Sequence, residues 1–292
     1  MLQLGYCLSG EANSGRNDVV LKWDGHTHSK FCYHGNPAEQ QEYLDRAIEL
    51  GFARYSVTEH PPLPDRLVDD PQLMRELAMP ERELPDYFAY MEEVKTRYEG
   101  KLEVAIGLEM DYLCKNESFS DRIVDKWAQR MEDAVVSVHY LPSRGGAIRC
   151  IDYTADDFKD AFLGYYGSID KVVDEYFNHV EMEIEWATPL PMRKRIGHVN
   201  LIRKFHKELP EMDQDLIRRR LQGLLPKLKA AGIGVDVNVA GLRVATCEES
   251  YVPEWFMKAC LEQGIGLVYG SDSHKPEQVG FSYDWFAERA RS

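Results

Sequence analysis

Short apolar stretches rich in valine, isoleucine and leucine recur along the chain, and between them the apolar positions spread out to helical spacing. The short stretches predict strands at Val19–Asp24, Arg54–Thr58, Glu103–Leu108, Ala134–Val138, Arg195–Gly197, Ile233–Val237 and Gly266–Tyr269. Apolar residues at i, i+3, i+4 and i+7 predict helices over Ala38–Leu50 and Pro85–Tyr98, and near 120–131, 155–163, 169–187, 213–231 and 253–262. Gly51 and Gly100 stand where the first two helices should stop, and Pro85 suits a first helical turn. Strands joined by helical crossovers must run parallel. Seven such strands predict an α/β barrel one strand short of the usual eight, with an open doubly wound sheet as the alternative. No G-x-G-x-x-G or G-x-x-x-x-G-K-[ST] segment is present, so the cofactor logic of nucleotide-binding sheets has no support.

A length of 292 residues suits one such barrel, expected over residues 19–292, with residues 1–18 as a small and polar extension before the first strand. The formal charge of −14 and the lack of a Lys/Arg block speak against a nucleic-acid partner. Divalent ions inside a cleft reverse the field locally, so a small phosphorylated substrate is compatible with the acidic surface. The six cysteines are thinly spread without a C-x-x-C pair, which predicts reduced thiols rather than a disulfide framework. No apolar run reaches the roughly 18 residues of a membrane span, and the amino terminus has no signal-peptide pattern, so a cytoplasmic protein without a membrane partner is expected. The oligomeric state is not legible.

Residues able to ligate a metal collect where predicted strands give way to loops. They are His26, His28, His34, His60, Glu109, His139, His198, Asp272 and His274, and they include seven of the nine histidines. His26-Thr27-His28 is a compact chelate, because side chains two apart on an extended segment share a face. Cys32, in the loop that carries His34, is assigned to packing. Thr58-Glu59-His60, Gly107-Leu108-Glu109 and Ser137-Val138-His139 end three successive strands, Gly197-His198 ends the fifth, and Ser271-Asp272-Ser273-His274 follows the seventh. The carboxyl ends of strands are where α/β barrels assemble active sites. Nine protein ligands exceed the needs of one catalytic zinc, and Glu109, with two oxygens, is the natural bridge between ions. Two to three divalent ions are therefore expected, zinc, iron and manganese all suiting imidazole and carboxylate. His179 and His206 are assigned to surface or packing.

The segments DGHTHSKFCYHG, SVTEHPPLP, GLEMDYL, SVHYL, RIGHVNLIRKF, VNVAGLR and YGSDSHKPEQVG occur in this order over about residues 20–281. Together they resemble the polymerase-and-histidinol-phosphatase (PHP) family, and TEHPPLP and AGLR are similar to its histidinol-phosphatase branch. The resemblance implies a distorted seven-stranded TIM-like barrel with a trinuclear metal site. It further implies that His26, His28, Glu109 and Asp272 hold one ion, that Glu109, His139 and His198 hold a second, and that His34, His60 and His274 hold a third. The chain departs from the pattern at Asn200, where an acidic residue is usual, in the less basic stretch after Arg243, and in the Asp65–Glu83 insertion.

The implied activity is a phosphomonoesterase acting on histidinol phosphate in histidine biosynthesis, with ions sharing Glu109 activating a water for attack on phosphorus. Glu109, His198 and Asp272 are the expected catalytic residues. Arg243 is expected to grip the phosphate through its planar fork, with Arg195 as a further candidate. Glu59 is expected either to orient a ligand or to meet the substrate's amino group. The alternatives are a phosphoesterase of the same family acting on nucleotides or a phosphoprotein, and a metal-binding regulatory protein without turnover.

Overall fold

The computed structural model describes residues 21–291; the expected extension at residues 1–18 lies outside them. Seven strands form one sheet: β1 (Trp23–Asp24), β2 (Arg54–Glu59), β3 (Glu103–Asp111), β4 (Asp133–Ser137), then β7 (Arg193–Ile196), β8 (Gly234–Asn238) and β9 (Leu267–Gly270). All neighbours are parallel. The loops beyond β1 and β9 close the ring through Gly25 N to Tyr269 O (2.8 Å), Asp272 N to His26 O (2.8 Å) and His28 N to Ser273 O (3.0 Å). This closure makes a barrel and excludes the open sheet. The strands read as near-continuous apolar runs because both faces are covered: every residue of β3 after Glu103 is buried.

Between β4 and β7 the chain forms an antiparallel hairpin, β5 (Tyr140–Pro142) and β6 (Ile148–Cys150), which the sequence reading did not anticipate. Its strands span three residues each, too few for alternation to register.

The outer layer consists of α1 (Gln40–Glu49), α2 (Pro71–Leu77), α3 (Leu84–Arg97), α4 (Glu117–Trp127), α5 (Ala155–Phe158), α6 (Gly164–Tyr166), α7 (Ile169–Ala187), α8 (Gln214–Ala231), α9 (Glu254–Glu262) and α10 (Tyr283–Arg289). In α1 the buried positions are Gln40, Tyr43, Leu44 and Ala47, the i, i+3, i+4, i+7 stripe of a helix lying on a sheet. Starts are set by side chains that satisfy orphan amides: Ser168 accepts from Lys171 N ahead of α7, and Asp213 from Asp215 N and Leu216 N ahead of α8. The Asp65–Glu83 insertion carries α2, started in the same way by Asp70, which accepts from Gln72 N and Leu73 N.

One main hydrophobic core joins the helices to the barrel. A second, smaller core gathers Leu67, Val68 and Leu73 of the insertion with Leu113, Tyr140 and Cys150, so the insertion and the hairpin pack on each other beside the carboxyl end of the barrel. Ser143 of the hairpin also donates to the carbonyl of Ala161 (2.7 Å), in the widened helical turn Lys159–Leu163 that follows α5.

Candidate metal centre

All nine predicted ligands converge at the carboxyl end of the barrel. His26 and His28 are fully buried, and each has its Nδ1 against a carboxylate: Asp236 Oδ2 at 2.8 Å from His26 and Glu59 Oε1 at 3.2 Å from His28. A carboxylate can only accept, so each Nδ1 carries a proton and each Nε2 is the nitrogen left to take either a second proton or a metal ion. Neither Nε2 has a hydrogen-bond partner among the described residues. Both look toward Glu109 Oε2 (3.1 and 3.5 Å) and Asp272 Oδ1 (3.9 and 3.2 Å).

The same logic applies around the ring. His139 Nδ1 meets Asp111 Oδ1 at 2.7 Å, leaving its Nε2 facing inward, 3.1 Å from His198 Nε2, which lies 2.9 Å from Glu109 Oε1. His34 Nδ1 donates to Glu76 O (2.8 Å) and His274 Nδ1 to Asp272 O (3.0 Å), yet their Nε2 atoms face each other at 3.1 Å. Two lone pairs held at that distance repel unless a cation or a proton lies between them. His60 Nδ1 sits 3.4 Å from Glu109 Oε2. The two Glu109 oxygens thus face different nitrogen sets, Oε2 toward His26, His28 and His60, and Oε1 toward His139 and His198. This donor set fits divalent metal ions, borderline nitrogen and hard oxygen ligands within a few ångströms of one another.

Without ions, the site balances its buried carboxylates with protons. Burial opposes ionisation of Glu109 and Asp272, but the surrounding imidazoles, His26 first, hold both carboxyls well below their ordinary range. Burial likewise opposes charging of His28 and His139, yet Asp272 and Glu59 raise His28 to about 9, and Asp111 and Glu109 raise His139 to about 10. Burial and the neighbouring His28 push His60 and His274 well below the imidazole range. A divalent ion can take the place of those protons.

Two glycines make room for this arrangement. A Cβ on Gly270 would collide with Asp236 Oδ1 and the His26 side chain, and one on Gly197 with Ser137 Oγ, the hydroxyl that donates to Glu109 Oε1 at 2.7 Å. Asp272 itself has φ of 53°, an uncommon backbone for a side-chain-bearing residue, held by its amide on His26 O.

Residues 24–240 match the profile of the PHP domain. The chain belongs to the PHP domain family. A relative of this PHP protein, the histidinol-phosphatase of Bacillus subtilis (strain 168), is 32% identical over 270 residues, 92% of this chain and 100% of that protein. A Listeria monocytogenes protein whose crystal structure was assigned as a histidinol phosphatase superposes with a TM-score of 0.85 at 32% identity, over 91% of this chain and 100% of that one. The histidinol phosphate phosphatase of Lactococcus lactis, solved with zinc, L-histidinol and phosphate, shares the fold at a TM-score of 0.69 and 16% identity, over 93% of each chain.

The cluster of candidate metal ligands opens into a cavity of about 350 Å³ bounded by His34, His60, Asp152, Lys204, Arg243 and Tyr251 among others. A larger groove of about 820 Å³ lies at the opposite end, where β3 and β4 begin. Much of its charged lining is paired, Lys95 with Glu132 and Arg130 with Glu92, and it holds none of the histidines, so size does not mark the site.

Two of the expected substrate residues are elsewhere. Arg195 is buried inside the barrel, bonding Asp133 Oδ1 (2.6 Å) and the carbonyl of Gly25. It spans the lumen from β7 to the turn after β1 and does not line the cavity, because Asp133 at the start of β4 requires a partner there. Glu59 has no exposure: one oxygen takes Ser29 N and Oγ, the other His28 Nδ1 and His60 N, so it braces the His28 ring and does not reach the cavity where a substrate amine would lie. Arg243 does line the cavity, although its fork is anchored on the carbonyls of Ser271 and Asp272, each at 2.7 Å. Three of its five N–H donors remain for a ligand.

Sequence reasoning missed the carboxylates behind the ligands. β8 carries none of the nine, yet Asp236 holds His26, and Asn238 donates to Asp272 Oδ2 at 3.2 Å. Their signal was polar residues at alternate positions of an otherwise apolar strand, Val235-Asp236-Val237-Asn238. Asp111, Ser137 and the pair Lys204–Asp152 (2.9 Å) were missed likewise. His179 is buried on α7 and His206 bonds the carbonyl of Cys247, so both serve packing.

Proposed function

We propose that this PHP protein hydrolyses a small phosphate monoester, histidinol phosphate, to L-histidinol and phosphate, the reaction named for its Bacillus relative, with two to three ions of zinc, iron or manganese. The observation that carries the reading is Glu109, whose two oxygens face separate sets of imidazole lone pairs. His26, His28, Glu109 and Asp272 would hold one ion, Glu109, His139 and His198 a second, and His34, His60 and His274 a third. When bound, the ions supply Lewis acidity toward phosphoryl oxygens and a source of nucleophilic water at neutral pH.

The protein's own residues bind and orient. Asp236, Glu59 and Asp111 fix three imidazoles with Nε2 toward the site, the carboxylate–histidine arrangement that raises ligand basicity. Arg243 and Lys204 place fixed positive charge on the cavity wall for the phosphate. Burial opposes the charge on Lys204, but Asp152 keeps its ammonium above the ordinary lysine range, so it stays cationic at neutral pH. The cavity volume lies at the small end of ligand pockets, roughly 300–1,000 Å³, which favours a metabolite over a phosphoprotein.

The test is phosphate release from a panel of monoesters by metal-reconstituted protein. Histidinol phosphate should show the highest kcat/KM. A tenfold preference for a nucleotide or a phosphotyrosine peptide would overturn the substrate assignment, and absence of turnover on every monoester would overturn the activity.

A further inference from the structure

The residues so far assigned to substrate are cationic and lie near the metal cluster, but the cavity has a second wall of different chemistry. It is made by Leu73 and Leu77 of α2, Tyr140 of β5 and Tyr153, in the bend after β6. Leu73 and Tyr140 belong to the small second core, so this wall is built by the insertion and the hairpin together. Tyr153 is unusual among them. The residue is 49% exposed although it borders the cavity, and neither its hydroxyl nor its ring has a hydrogen-bond or ring partner among the described residues. An aromatic ring left half exposed beside a ligand cavity has apolar surface that a ligand can bury. Asp152 stands next to it in sequence, but its carboxylate is engaged by Lys204. What Tyr153 offers is therefore a π-face.

We propose that Tyr153 is a specificity-determining residue whose ring stacks on the heteroaromatic group at the alcohol end of the phosphate ester, with Leu73 and Leu77 as the apolar floor. This rests on the reading above, in which the metal cluster takes the phosphate. An imidazole or imidazolium is the matching chemistry, since a flat ring, neutral or cationic, is attracted to a tyrosine face. The Asp65–Glu83 insertion supplies α2 and with it Leu73 and Leu77 of this wall.

The experiment compares metal-loaded wild type, Tyr153→Ala and Tyr153→Phe on histidinol phosphate and on 2-aminoethyl phosphate, which has the amine and the phosphate but no ring. Tyr153→Ala should raise KM for histidinol phosphate by roughly two- to tenfold, the scale of one aromatic contact, with kcat little changed. On 2-aminoethyl phosphate the same variant should match wild type within twofold, and Tyr153→Phe should behave as wild type on both. Inhibition by L-histidinol of 2-aminoethyl phosphate hydrolysis should weaken in Tyr153→Ala by the same factor as KM rises. Equal losses on both esters, or no loss on either, would overturn the role of Tyr153 while leaving the phosphatase reading intact. If wild type hydrolyses 2-aminoethyl phosphate but neither turns over histidinol phosphate nor binds L-histidinol, the substrate reading itself falls, and this inference with it.

Discussion

At the scale of single residues, the site is defined by what sits on the far side of each imidazole. His26, His28 and His139 are buried with Nδ1 against Asp236, Glu59 and Asp111, which leaves no choice about which nitrogen faces inward. Glu109 is the residue with most at stake. Glu109→Gln keeps the shape but replaces one anionic oxygen with an amide nitrogen that cannot accept a proton or ligate well. The facing imidazole sets then lose their shared counter-charge. Metal content should drop by at least one equivalent, and turnover should fall by several orders of magnitude while circular dichroism stays that of the native fold. His206→Gln, whose wild-type imidazole bonds the carbonyl of Cys247 away from the cavity, is the matched control and should retain both. A folded Glu109→Gln protein with full metal occupancy and near-normal turnover would remove the carboxylate from the chemistry.

At the scale of elements, α7 joins packing to the site. Its apolar stripe, from Ile169 through Val172, Val173, Tyr176 and Phe177 to Ile184, covers the barrel, but Glu183 is buried within that face and its Oε1 has no hydrogen-bond partner. Burial drives its carboxyl well above the ordinary range, opposed in part by His139. The sign follows from linkage. A carboxyl raised in the folded state binds its proton more tightly there than in the unfolded chain, where it titrates near 4.3. Stability from this group is therefore greatest below that value and falls as pH rises toward the folded pKa. Glu183→Gln removes the titration. Its melting temperature relative to wild type should be higher at pH 8 than at pH 5, by calorimetry on metal-loaded protein. A difference independent of pH would show that Glu183 titrates in the native state as it does in the unfolded chain.

At the scale of the whole molecule, the barrel carries polar groups at both levels of its interior. The upper level is the cluster of candidate metal ligands; the lower is Arg195 with Asp133, to which Ser56 Oγ also donates at 2.6 Å. Breaking a buried pair by removing one partner leaves the other charge desolvated, which typically costs about 3–5 kcal/mol. Arg195→Leu should lose stability on that scale in chemical denaturation, and the double variant Arg195→Leu/Asp133→Leu should lose less than the single one. Additive losses would mean that the two side chains do not depend on each other. A surface arginine of the substrate cleft would show neither effect. It would change KM and leave stability nearly untouched.

The sequence alone carried the barrel and the nine residues that converge at its carboxyl end. Strand and helix periodicity are local, and His-x-His, Thr-Glu-His, Gly-Leu-Glu and Asp-Ser-His each sit at or near the carboxyl end of a strand. It did not carry the meaning of Glu59, Arg195, Asp236 or Asp111. A charged side chain reads the same in sequence whether it faces a ligand, crosses a lumen or braces an imidazole. Those roles depend on distances between strands far apart in the chain, such as the contact of Asp236 with His26 across 210 positions. The cavity's second wall was decided by folding for a related reason. The insertion that holds α2 and the hairpin of β5 and β6 have too little periodicity to read individually, and they become a surface only when each buries the other's apolar side chains in the second core.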